Sequence, residues 1–133
     1  MRAVVDTNVL VSGLLNPNGP PGRIVDQLRT GQLQLVIDDR ILDEYVRVLR
    51  RPYFERYFSK KDREHLIEYL TNNSDYIIAT VTCQNLPDPD DAPFLETALT
   101  AQVPLITGNR KHFPADQTQN GLVLSPAEFI TRT

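Results

Sequence analysis

Apolar residues along the chain follow two rhythms. Short runs, Arg2–Val5, Leu33–Ile37, Leu105–Thr107 and Leu122–Leu124, have the length of buried strands, and the β-branched stretch Tyr76–Val81 reads the same way. Between them apolar residues return at helical spacing. Thr7–Leu15 follows the first strand without a linker. Pro21 opens a segment whose buried face is Ile24, Val25 and Leu28, and Gly31 stops it. Asp39–Arg51 is strongly periodic and ends at Pro52. Ser59-Lys60-Lys61-Asp62 resembles a capping box opening a helix to about Asn72, and Ser125-Pro126-Ala127-Glu128 does the same near the C-terminus. Gln84–Asp90 is an irregular link into a helix over Asp91–Gln102. Strands alternating with helices predict an α/β fold, a three-layer α/β/α sandwich around a central, mainly parallel sheet of four to five strands. In such sheets chemistry collects beyond the carboxyl ends of the strands.

Composition narrows the setting. The 133 residues, 41% hydrophobic and 23% charged, predict one domain over 1–133 with a real core. The apolar stretch Val9–Leu15 is far short of the ~20 residues of a membrane span. Asp6 and Asn8 interrupt what would be a signal-peptide core, so a cytoplasmic location is expected. Cys83 is alone and the two histidines are scattered, which argues against a disulfide or a zinc site. The net charge is −3, yet Arg40–Arg63 holds eight basic and four acidic residues, a local +4. That segment is either a solvated helical face or a phosphate-binding one.

The acidic residues carry the candidate chemistry. Asp6 ends the first strand, where a carboxylate is either a helix cap or a site residue. At about 100° per residue, Glu44 falls on the margin of the Ile41–Tyr45–Val48 stripe and Asp43 faces solvent. Arg40, Arg47 and Arg51 share the flank of Glu44 and are candidate phosphate ligands, or its ion-pair partners. In Asp88-Pro89-Asp90-Asp91, Asp91 aligns with Phe94 and Leu95 while Asp90 turns toward water. An N-cap role is equally open for Asp91. Thr107-Gly108-Asn109 ends a strand with neutral oxygens. Asp6, Glu44, Asp91 and Asn109 at strand ends and helix edges predict a hard-cation site for Mg²⁺ or Mn²⁺, of the kind that activates water against phosphodiesters.

These motifs, in this order, resemble a PIN-domain nuclease of the subgroup of toxins from toxin–antitoxin systems. The likeness runs from Val4-Val5-Asp6-Thr7-Asn8-Val9-Leu10, through Ile41-Leu42-Asp43-Glu44-Tyr45 and Asp88-Pro89-Asp90-Asp91, to Thr107-Gly108-Asn109 and Ser125-Pro126-Ala127-Glu128-Phe129. The resemblance implies Asp6, Glu44 and Asp91 as catalytic, metal-binding acids, with Thr7, Asn8 and Thr107 in support. It implies single-stranded RNA as substrate, a homodimer, and an antitoxin protein as partner. The wider family's fourth acid is Asn109 here, a neutral ligand, for which Asp88 or Asp90 can compensate. Two other readings compete. A non-catalytic RNA- or protein-binding module would keep the fold without efficient metal binding. A haloacid-dehalogenase-like phosphatase would need an acid where Asn8 stands.

Overall fold

In the computed structural model, which describes residues 1–118 and 121–133, five strands form one sheet. They are β1 (Arg2–Val5), β2 (Gln34–Ile37), β3 (Asp75–Tyr76), β4 (Leu105–Ile106) and β5 (Val123–Leu124). Every pairing is parallel and the order is β3-β2-β1-β4-β5. The chain therefore builds outward from β1 to one side, then returns to its other side with β4. That reversal opens a crevice between the carboxyl ends of β1 and β4, the switch point where α/β proteins hold ligands. Helices α1 (Thr7–Leu15), α2 (Pro20–Thr30), α3 (Asp39–Leu49), α4 (Lys60–Asn73), α5 (Ala92–Ala101) and α6 (Pro126–Thr131) flank the sheet. None is long and apolar enough to cross a membrane.

Local chemistry explains most boundaries. Gly31 ends α2 with φ at 80°, the left-handed cap that only glycine adopts without strain. Ser125 and Glu128 complete their reciprocal capping box. At the start of α4, Ser59 accepts a bond from the Asp62 amide. Where α1 and α2 meet, two glycines are required by close approach: a Cβ on Gly13 would overlap the Pro21 carbonyl, and one on Gly22 would overlap the Pro17 carbonyl.

Several boundaries shift by a residue from those the sequence predicts, and three differences bear on the site. The third strand is confined to Asp75–Tyr76 rather than reaching Val81. The Ile77 amide bonds to the Ile37 carbonyl, but there β2 ends and the chain turns into α3, so no ladder remains to pair with. The following residues lean on α5 instead: Thr80 and Val81 donate their amides to Thr100 Oγ1, and Cys83 donates its amide to Glu96 Oε2. Helix α3 stops at Leu49, because Arg51 must be extended before Pro52 and has ψ at 139°. Asp91 belongs to a 3-10 turn, Pro89–Asp91, and α5 starts one residue later.

The core runs from β1 outward. Tyr45 of α3 is fully buried, packs at 6.4 Å from the Phe94 ring of α5, and donates its hydroxyl to the Val5 carbonyl. One aromatic contact thus locks α3, α5 and the end of β1 together. The residue before Tyr45 is Glu44, the residue after Val5 is Asp6, and Asp91 lies one turn before Phe94.

Candidate metal centre

Asp6 stands at the switch point with only 6% of its surface exposed. It occupies the N-cap position of α1 yet its side chain caps nothing. Instead Thr107, at the end of β4, donates its hydroxyl to Asp6 Oδ2 at 2.7 Å. That bond spans the crevice between the two strands. Burial pushes the Asp6 carboxyl up to about 6, against the stabilising Thr107 bond, and the neighbouring Asp91 and Glu44 charges push it the same way. Asp91 likewise sits at an N-cap position without capping, and its carboxyl is raised by burial and by Asp88 and Glu44, with His112 opposing. The real caps are other aspartates. Asp38 accepts from the Ile41 amide, and Asp88 accepts from the Asp90 amide at 3.0 Å.

The helical phase of α3 places Glu44 half-buried and Asp43 in solvent. Thr7 donates its hydroxyl to Glu44 Oε2, which joins the start of α1 to α3 beside Asp6. Asn8 reaches across to the other wall: its Oδ1 accepts a long bond from the Gly108 amide at 3.4 Å. Asn109 donates its amide to Thr107 Oγ1 at 3.0 Å, so the threonine hydroxyl is oriented from behind while it holds Asp6. Asp90 is exposed.

His112 was not among the residues the sequence singled out. A 3-10 turn, Arg110–His112, folds it back so that Nδ1 lies 2.8 Å from Asp91 Oδ2. Its Nε2 lies 2.9 Å from Asn109 Nδ2. Among the described residues, Asp88, Asp91 and His112 offer ligand atoms that all lie within 4.8 Å of one another. The signal was its position three residues past Asn109, one turn of 3-10 helix, and it is weak because a single histidine says little by itself.

Do these residues suit a cation? Asp91 Oδ2 is buried and has no aligned hydrogen-bond donor, despite the nearby His112 ring. A carboxylate oxygen left so is costly unless a cation completes it. The donor set is mostly oxygen with one imidazole, which fits a divalent cation. Ligation through His112 Nδ1 needs the tautomer with its proton on Nε2, and Asn109, whose Nδ2 faces Nε2, would then turn its amide to accept that proton on Oδ1.

The arginines divide. Arg40 is spent within the fold, 2.7 Å from Asp38 Oδ2 and 2.8 Å from Glu96 Oε1, joining the start of α3 to α5. Arg47 lies 3.9 Å from Glu44 Oε1 and is largely exposed. Arg51 lies past the end of α3, so the helical alignment with Glu44 drawn from the sequence does not hold for it.

Relatives agree with this geometry at the level of fold. An uncharacterized protein of Methanocaldococcus jannaschii is 31% identical over 111 residues, 83% of this chain and 72% of that protein. The structure of VapBC2 from Rickettsia felis, bound to a DNA fragment from their promoter, matches with a TM-score of 0.62 at 13% identity, covering 94% of this chain and 98% of that one. That of VapBC-1 from nontypeable Haemophilus influenzae matches with a TM-score of 0.64 at 17% identity, covering 96% and 99%. The PIN domain family profile matches residues 2–111. That profile spans most of the chain, and the chain belongs to the PIN-domain family.

Proposed function

We propose that the protein is a divalent-metal-dependent endoribonuclease acting on single-stranded RNA, and the toxin of a toxin–antitoxin pair. One observation carries the reading: at the switch point a buried aspartate, Asp6, caps no helix and is pushed up to about 6 by burial and by Asp91 and Glu44. Folding a mutually repelling carboxylate group into the crevice is unfavourable unless a cation joins it. Asp6, Glu44 and Asp91 would hold Mg²⁺ or Mn²⁺, with Asp88 and His112 as further ligands where the family has an acid and this chain has Asn109. A cation held there supplies charge neutralisation and activates water against a phosphodiester.

The chain's own residues do the rest. Thr107, oriented by the Asn109 amide, keeps Asp6 Oδ2 in place. Thr7 steadies Glu44, and Asn8 ties the α1 wall to the Gly108 turn. Arg47, on the solvent side of Glu44, is positioned to take an RNA phosphate. An antitoxin partner and a homodimer form part of the proposal; the fold shared with the two VapBC structures supports the partner. The experiment is RNA cleavage by the purified chain with Mg²⁺, with Mn²⁺ and in excess chelator. Cleavage should require metal and vanish in Asp6→Asn. Full cleavage in chelator would overturn the mechanism, and metal-independent RNA binding without cleavage would favour a binding module.

A further inference from the structure

Past the end of α3, the 3-10 turn Pro52–Arg56 and the residue after it display two tyrosines that the metal centre does not use. Tyr53 is 57% exposed and Tyr57 50% exposed, with ring centroids 5.6 Å apart. Leaving two such rings in water forgoes the burial that aromatic side chains normally supply. The turn is nevertheless well anchored. Phe54 is buried, meets Tyr53 edge-on at 5.1 Å, and lies 6.3 Å from the Phe58 ring. Behind it, the buried Arg63 donates Nη1 to the carbonyls of Leu49 and Arg51. The exposed rings are therefore held by structure beneath them.

Their surroundings are cationic. The Arg56 guanidinium stands 6.0 Å from the Tyr53 ring centroid. Arg51, Lys60 and Lys61 are exposed on the same stretch of chain, and among the described residues none of these four cations forms an ion pair. Arg50, by contrast, is held by Glu64 at 2.7 Å. Glu55 and Asp62 are the acids within the stretch. At about 1.5 Å rise per residue, Leu49 lies only about 8 Å beyond Glu44 along α3, with Arg47 between them.

We propose that Tyr53 and Tyr57, with Arg51 and Arg56, form a stacking platform for single-stranded RNA outside the metal centre. Flat aromatic faces accept any base, and adjacent unpaired cations take the phosphates, the combination by which proteins hold single strands without sequence preference. The inference rests on the nuclease reading and extends it by naming where the RNA lies outside the site.

The test uses the full chain in chelator, with labelled oligouridylate as probe, and follows affinity and its salt dependence. Replacing both rings, Tyr53→Ala with Tyr57→Ala, should weaken binding at least about tenfold, since each stacked base contributes at that level. The salt slope should stay unchanged, whereas Arg51→Ala with Arg56→Ala should flatten it by about 0.7 for each phosphate no longer neutralised. Tyr53→Phe with Tyr57→Phe should keep the affinity. The chain has five tyrosines and no tryptophan, so two of its five emitters stand on the platform and the difference between parent and double Phe variant reports them. RNA should quench the parent and quench the double Phe variant much less. Parent-like RNA affinity in the double Ala variant would overturn the platform while leaving the nuclease reading intact. A parent that neither binds nor cleaves RNA would remove both. Loss of self-association in the double Ala variant, with RNA affinity unmoved, would make the turn a protein interface and overturn the platform.

Discussion

Replacing Asp6 by Asn should stabilise the protein in chelator and destabilise it, relative to the parent, in metal. The folded-state carboxyl of Asp6 is raised from its ordinary 3.8 to about 6, first by burial and then by Asp91 and Glu44. At about 1.36 kcal/mol per pH unit, that rise corresponds to about 3 kcal/mol. The sign follows from proton counting. Between the two values the folded chain holds a proton that the unfolded chain has lost, so stability falls as pH rises from about 4 through about 6. Above that the full penalty is present, and below about 4 it is absent. Asn is neutral and keeps an oxygen for the Thr107 hydroxyl, so at neutral pH the variant should gain about 1–3 kcal/mol. Metal about a thousandfold above its Kd adds about 4 kcal/mol to a folded state that binds it. The parent should gain this and the variant should gain much less, reversing the order. Urea melts of both proteins at about pH 4, 6 and 8, with chelator and with Mn²⁺, measure all of it. An Asp6→Asn protein that is less stable at every pH and indifferent to metal would refute the reasoning and make Asp6 a helix-terminal charge.

Three other outcomes are expected. Glu44→Gln and Asp91→Asn should each lower RNA cleavage by orders of magnitude, while Asp43→Asn and Asp90→Asn, both exposed, should cost little; equal losses within either pair would contradict the assigned faces. His112→Ala should weaken Mn²⁺ binding at least about tenfold by calorimetry, as removal of a metal-site group does, whereas His65→Ala on the exposed face of α4 should not. Gly13→Ala should destabilise by about 1–3 kcal/mol in denaturant melts, because the new methyl meets the Pro21 carbonyl and α1 and α2 must separate.

What could be read in advance was whatever depends on neighbours in sequence. The alternation of strands and helices, the caps at Gly31 and Ser125, and the phase separating Glu44 from Asp43 all follow from local periodicity and backbone preference. Those signals act within a turn or two of chain, so one sequence is enough to reveal them. The third strand failed for the opposite reason. Ile77 to Val81 has strand composition, but a strand exists only where a partner offers its backbone, and β2 ends at Ile37.

The site shows the same division. Placing Asp6 at a strand end required only local reading. Deciding that it caps nothing and accepts from Thr107, 101 residues away, required the sheet order that sets β4 beside β1. Arg40 looked like a phosphate ligand or an ion-pair partner of Glu44 until Asp38 and Glu96 were brought to it from either side. His112 looked like a scattered residue until a 3-10 turn put it against Asp91. The sequence by itself determined which residue types stand at strand ends and which way each helix faces. Tertiary structure alone decided which charges meet and how deeply they are buried, because Coulomb and desolvation energies depend on distance in space and on access of water.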